Sequence, residues 1–221
     1  MDGHGLYVTD TKKTEKQSFR TRVRAMRDTL APQTAQLWSK KICQRILKWD
    51  CYVHAKQLFA YYPSGSEADI RPVLKEALES GKQVGLPRVE GRQKMSFYQI
   101  QGFGDLNAGA MGLMEPSQHC PKLMPLPGED TDCPPALMLV PGLAFGAEAS
   151  GISRMGYGGG FYDTWLAAFE QSGAFGPLLT CGVTFDCLLF GAAVLPVEPH
   201  DWLLYAAVTE SRRLQPGCPG L

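Results

Sequence analysis

The sequence carries no surplus of charge. Its 22 Lys and Arg are matched by 22 Asp and Glu, and the formal net charge is zero. The chain as a whole therefore has no electrostatic bias toward nucleic acid or a membrane surface. No apolar run is long enough to span a bilayer, and the N-terminal stretch lacks a signal-peptide h-region. The seven cysteines, at 43, 51, 120, 133, 181, 187 and 218, form no CxxC pair. Scattered thiols in odd number point to a reducing compartment with mostly buried, unpaired cysteines. His119-Cys120 with Cys133 could be drawn as part of a zinc site, but no second histidine stands at finger spacing, and zinc is not expected. An Arg-rich start hints at organelle targeting, yet acidic residues interrupt it. The cytoplasm is the expected compartment and an organelle the alternative. There is no internal repeat and no low-complexity block.

What is present is ordinary in bulk. The 221 residues, 44% hydrophobic and 20% charged, suit one large domain that buries its core without staples. Residues 1–13 read as a flexible N-terminal segment, 14–210 as the domain, and 211–221 as a flexible tail. Phe19, Val23, Met26 and Leu30 recur at helical spacing, with Lys16, Arg20, Arg22, Arg24 and Arg27 on the other faces. That basic face is either a solvated surface or the seat of an anionic partner, and the spacing does not choose. Pro32 suits the first turn of a second helix.

Lys56–Tyr62 reads as a buried strand, followed by a helix capped by Ser66 with Asp69 three residues on, and ended by Gly81. Gln83–Pro87 completes a β-α-β unit, which implies a parallel right-handed crossover. Met95–Ile100 alternates like a further, antiparallel strand. Residues 102–135 are rich in Gly and Pro, and Glu115 within them has no assignable partner. Leu137–Pro141 is a central strand by its unbroken apolar composition. Leu178–Val183 and Trp202–Val208 are later strands, and Phe185–Leu195 is ambiguous. Strands alternating with helices argue for an α/β fold with a mostly parallel sheet. Ligands of such sheets lie at the strands' C-terminal ends, where the Tyr62–Glu67 turn and the loop after Val140 emerge. Glu67 also has a plain explanation, an acid stabilised near a helix N-terminus, and from the sequence alone that one is preferred.

The densest chemical signal is Arg154-Met-Gly-Tyr-Gly-Gly-Gly-Phe-Tyr-Asp163, with four glycines in the five residues from Gly156 to Gly160. Helical spacing of Phe161, Trp165, Ala168 and Phe169 follows it, so the glycines are expected to open a helix in a strand–loop–helix unit. Amides without Cβ atoms at a helix start form an anion-binding nest. Arg154 adds a planar fork suited to phosphate, and Asp163 an oxygen donor suited to magnesium. The bland alternative is a tight turn whose glycines only solve a packing problem. The flanking arginine, aromatics and aspartate favour the nest. No Gly-Lys-Ser/Thr follows, which excludes a Walker A loop. Phe161 stands where a dinucleotide fingerprint needs its third glycine.

These residues resemble the 5-formyltetrahydrofolate cyclo-ligase (methenyltetrahydrofolate synthetase) family. Arg154–Asp163 is similar to the family's RLGYGGGYYD, and Val140-Pro-Gly-Leu-Ala-Phe145 to its VPGLAF. Lys16-Gln-Ser-Phe-Arg20, the strand-to-Glu67 turn, Gly81-Lys82 leading to Leu86-Pro87-Arg88, Gly112–Pro116 and Glu198-Pro-His-Asp201 fall in the family's order. The resemblance covers roughly residues 14–210.

It implies a single three-layer α/β/α domain, and an ATP- and magnesium-dependent cyclisation of 5-formyltetrahydrofolate, with or without a polyglutamate tail. The implied products are 5,10-methenyltetrahydrofolate, ADP and phosphate. By match to the family, Lys16, Arg20, Arg154, Gly156, Tyr157, Gly158, Gly159, Gly160, Phe161 and Tyr162 would hold ATP. Arg154 and Tyr162 would serve catalysis, Asp163 and Asp201 would hold Mg2+, and Tyr62 and Glu67 would contact the folate, Glu67 as acceptor for the pterin's donors. A monomer without nucleic-acid or membrane partners is implied.

The chain departs from the pattern in three places. Gly146 replaces the usual Asp after VPGLAF, Ala147–Ser153 makes the following loop longer by two or three residues, and Phe161 replaces a Tyr. Met111 also stands in the region where some relatives place an aromatic near the folate. A catalytically silent folate- or nucleotide-binding module on the same scaffold is the alternative function. The intact Arg154–Asp163 run argues against it. A sugar-phosphate isomerase or CoA-transferase-like enzyme would need its own base, for which Glu115 is the only lead.

Overall fold

The computed structural model describes residues 4–127, 133–148, 150–173, 177–191, 194–196, 198 and 201–215, with side chains from residue 14 onward apart from that of residue 110. Helices α1 (His4–Asp28), α2 (Pro32–Leu47) and α3 (Asp50–His54) lead into strand β1 (Gln57–Phe59). Then come α4 (Arg71–Glu79), β2 (Gln83–Gly91), β3 (Lys94–Ile100), β4 (Leu106–Ala108) and β5 (Met114–Pro116). The second half holds β6 (Ala136–Pro141), β7 (Ala144–Glu148), β8 (Gly151–Met155), α5 (Phe161–Ser172), β9 (Leu178–Val183), β10 (Leu189–Gly191), β11 (Ala206–Val208) and β12 (Arg213–Leu214).

The main sheet runs β12-β11-β9-β6-β1-β2-β3, and its five inner strands are mutually parallel. β3 and β12 close its edges antiparallel. The pleat of β6 divides the core. Leu137 and Leu139 face one apolar cluster with Val23, Ile42, Ile46 and Leu74 of the helices. Met138 and Val140 face another with Phe97, Phe145, Ile152, Trp165 and Leu166. A strand buried on both faces must be apolar at every position, which is why its composition was readable. Each such leucine or valine contributes about 1.5–3 kcal/mol by leaving water. The layers are thus α1, α2 and α4 on one side, the sheet in the middle, and α5 with the small sheet β10-β7-β8 on the other. From β1 the chain crosses to β2 on one side, and from β6 to β9 on the other. The crevice beyond the C-terminal ends of β1 and β6 is therefore the switch point at which such sheets hold ligands.

Four sequence expectations change. α1 is described from His4, well before the Lys16 start that the apolar spacing marks. Its inward face is also rotated: Met26 is 38% exposed while Arg27 is 7% exposed, because the helix flanks a polar cavity instead of lying wholly over apolar core. The helix after β1 begins at Arg71, not at Ser66, with Ile70 as its uncapped first flank. Ser39 Oγ accepts from the Asp69 amide at 3.0 Å and the Tyr61 hydroxyl donates to the Ala68 carbonyl at 2.9 Å, so this segment is held as a turn. Pro72, in the first helical turn, then sets the start. The extended Ala147–Ser153 loop is the end of a hairpin: β7 and β8 pair antiparallel, and Arg154 lies on β8 opposite Phe145. The glycine run therefore follows a strand of the small sheet, not the central strand. Trp202–Val208 contributes only its last three residues to the sheet. The antiparallel β2–β3 pair holds as read, and β12 lies within the segment read as a tail.

Candidate functional site

A cavity of about 1180 Å3 opens at the switch point. It exceeds the usual range for one small-molecule site. α1, the turn after β1, the β2–β3 strands, the β4–β5 hairpin and the glycine loop all line it. Every residue singled out from the sequence as ATP-, folate- or metal-binding reaches its wall: Lys16, Arg20, Tyr62, Glu67, Arg154, the run Gly156–Tyr162, Asp163 and Asp201.

The glycine loop adopts a conformation that side chains resist. Gly158 has φ +103° and Gly160 φ +67°. Gly160 is the flanking residue of α5 and offers no side-chain cap, so amides of the helix's first turn have no intrahelical acceptor and face the cavity. The Arg20 guanidinium lies over Gly158 and donates to the Gly156 carbonyl at 3.1 Å. Lys16, Arg20 and Arg27 fall at helical spacings of four and seven, so one stripe of α1 lends its cations to the cavity.

Arg154 is buried on β8, and its Nη2 pairs with Asp163 Oδ2 at 2.7 Å. Among the described residues its Nε is buried with no hydrogen-bond partner, and so is the hydroxyl of Tyr162. A buried polar atom left unpaired costs about 1–3 kcal/mol, so two of them on residues of one cavity wall are candidates for completion by a ligand. Burial, and secondarily the Glu67 charge, raise the Tyr162 phenol above its ordinary value, which keeps it protonated and able to donate.

Glu67 is held on both oxygens. Its Oε1 accepts the Tyr157 hydroxyl, and its Oε2 accepts the Ser64 amide at 2.9 Å. The Tyr157 oxygen in turn accepts Arg27 Nη1 at 2.7 Å, and Arg27 Nε donates to Ser66 Oγ at 2.9 Å. The Tyr157 ring is 41% exposed, but its hydroxyl end is packed between these charges, and burial first, then Glu67, raises its pKa. This chain of bonds joins α1, the turn after β1 and the glycine loop. The sequence reading missed Arg27 as a member; its i+7 spacing from Arg20 was the available signal.

Further along the α1 stripe Lys16 Nζ pairs with Glu198 at 2.5 Å and with Asp201 at 3.1 Å. Asp163 Oδ1 also accepts the amide of Trp202, which brings the two proposed metal-binding carboxylates to one side of the cavity. Among the described residues no three His, Cys, Asp or Glu side chains form a ready-made ion site. Hard carboxylate oxygens beside an anion nest nevertheless fit Mg2+, which completes its shell with phosphate and water. His200, at the start of the segment before β11, lies outside the described residues.

Comparison with known proteins bears on the family and the fold. A family model described as the 5-formyltetrahydrofolate cyclo-ligase family matches residues 12–210. The probable 5-formyltetrahydrofolate cyclo-ligase of Schizosaccharomyces pombe is 24% identical over 90% of this chain and 96% of the relative. The Escherichia coli 5-formyltetrahydrofolate cyclo-ligase is 26% identical over 86% of this chain and 97% of the relative. The solved structure of Aquifex aeolicus 5,10-methenyltetrahydrofolate synthetase superposes with a TM-score of 0.74 at 26% identity, covering 93% of this chain and 95% of that one. With nine-tenths of its length inside the family model and its fold shared with a synthetase of known structure, the chain belongs to the 5-formyltetrahydrofolate cyclo-ligase family.

Proposed function

We propose that the protein catalyses the ATP- and Mg2+-dependent cyclisation of 5-formyltetrahydrofolate to 5,10-methenyltetrahydrofolate, with release of ADP and phosphate. The observation that carries this reading is one continuous cavity whose lining joins the glycine loop, five cationic side chains and the Tyr62–Glu67 turn. An amide oxygen is a poor leaving group. Its attack on the γ-phosphorus, with the bond to ADP breaking, turns it into a phosphate ester. N10 then attacks the formyl carbon, loses its proton, and the carbon–oxygen bond breaks as phosphate leaves.

Phosphoryl transfer of this kind needs alignment and charge neutralisation more than covalent help. Lys16, Arg20, the Gly156–Gly160 amides, Phe161 and Tyr162 hold ATP. Arg154 neutralises charge growing on the transferred group, and the Tyr162 hydroxyl donates to it. Tyr62 and Glu67 contact the folate. Asp163 and Asp201 would hold Mg2+, which when bound supplies further neutralisation of phosphate oxygens. A monomer is the proposed state, and the cytoplasm is the proposed compartment. The test is direct: protein, ATP, Mg2+ and 5-formyltetrahydrofolate should give the absorbance of the methenyl product with one ADP per turnover. A folded protein that gives neither at saturating substrate would leave the silent binding module standing.

A further inference from the structure

Glu115 has no role in that scheme, and its surroundings are unusual for a carboxylate. It sits in the middle of β5 and is 8% exposed, yet it lines the cavity. One oxygen accepts a long 3.3 Å bond from the Val89 amide. Among the described residues no lysine or arginine pairs with it. Arg88, next to Val89 in sequence, instead donates to the Pro116 and Ser117 carbonyls and lies on the Tyr98 ring. The site is shaped to admit the carboxylate: a Cβ at Gly109, just past the facing strand β4, would overlap it. A buried carboxylate accepts hydrogen bonds on up to four sites, and burial without donors is costly. Glu67, the carboxylate assigned above to the folate, already accepts one hydrogen bond on each oxygen, from Tyr157 and Ser64, and so has fewer acceptor sites left than Glu115.

We propose that Glu115 is a substrate-binding residue that accepts hydrogen bonds from paired N–H donors of a flat, neutral heterocycle. Val89, Met95, Met111 and Leu113 give it an apolar slot in the same cavity wall. A 2-aminopyrimidinone edge, an amino group beside a ring N–H, presents two parallel donors at the spacing of a carboxylate fork. Such an edge is the pterin half of a folate, so the proposal rests on the cyclo-ligase reading and adds an acceptor to it. Replacing the carboxylate by an amide removes one acceptor and opposes a donor to a donor.

The experiment is a calorimetric titration of the full chain with 5-formyltetrahydrofolate, and separately with ATP and Mg2+. Glu115→Gln is expected to weaken folate binding roughly 10- to 100-fold, leave nucleotide binding within about twofold, and keep or raise the melting temperature. Gly109→Ala, which displaces the carboxylate without changing it, is expected to reproduce the folate loss. Folate binding unchanged in Glu115→Gln, with wild-type protein binding normally, would overturn the proposal and leave the cyclo-ligase reading intact. A lower melting temperature in Glu115→Gln would show a structural carboxylate and overturn it too. Wild-type protein that does not bind 5-formyltetrahydrofolate would sink both readings together.

Discussion

Tyr162→Phe separates what the fold needs from what the reaction needs. The phenol oxygen is buried and has no partner among the described residues, and Tyr162 lines the cavity. Unpaired burial of a hydroxyl costs about 1–3 kcal/mol, and phenylalanine removes that cost without leaving a cavity. The ring's contacts with Phe97 and with the Arg154 guanidinium, 5.5 Å from its centroid, survive the change. The variant without ligand should therefore be more stable by about 1–2 kcal/mol, or roughly 2–8 °C in Tm for a chain of this length. Turnover should move the other way. A hydrogen bond to a phosphate oxygen is worth about 1.5–3 kcal/mol, so kcat/KM should fall roughly 10- to 150-fold. Denaturant melts, run with and without ATP, and initial rates of methenyl formation measure both. A variant less stable than wild type without ligand would show that the hydroxyl is already satisfied inside the fold, and the orphan reasoning would be wrong.

Breaking the Arg154–Asp163 pair should cost both properties. Arg154→Met strands a partly buried carboxylate and should lower stability by about 2–3 kcal/mol, read from the urea midpoint. Adding Asp163→Leu should restore much of that and none of the turnover. Tyr157→Phe cuts the link between Arg27 and Glu67 and leaves a donor of the buried Arg27 unpaired, so stability should fall by about 1–3 kcal/mol. KM for both substrates should rise severalfold, and unchanged kinetics would show the link to be idle. Glu90 accepts Lys122 Nζ at 2.7 Å, and that bond first, then the one from Tyr98, lowers its pKa from 4.5 to about 2. A carboxylate depressed on folding adds stability that is full above about 4.5 and fades as pH falls toward 2. An NMR titration should find the low midpoint, and Lys122→Ala should move it up.

Some of this protein was fixed by local rules. Ala136–Pro141 had to be a central strand, because only burial on both faces tolerates six residues without a charge. Gly158 and Gly160 were tied to a special turn, because the backbone there takes φ values that other residues resist. The Arg154–Asp163 run pointed to the family through its likeness to the family's glycine-rich signature. What needed the folded chain were relations between distant segments. Nothing near Arg27 in sequence says that it is buried against Tyr157, which lies 130 residues away. The β7–β8 hairpin escaped the sequence reading because its residues pair with β10 residues 44 positions later and its apolar residues face another layer. Glu115 reads as an unremarkable acid until β2 and β4 close around it. Periodicity reports which face of an element avoids water, whereas a binding site is a polar interior assembled from elements whose order in the chain is unrelated to their neighbours in space.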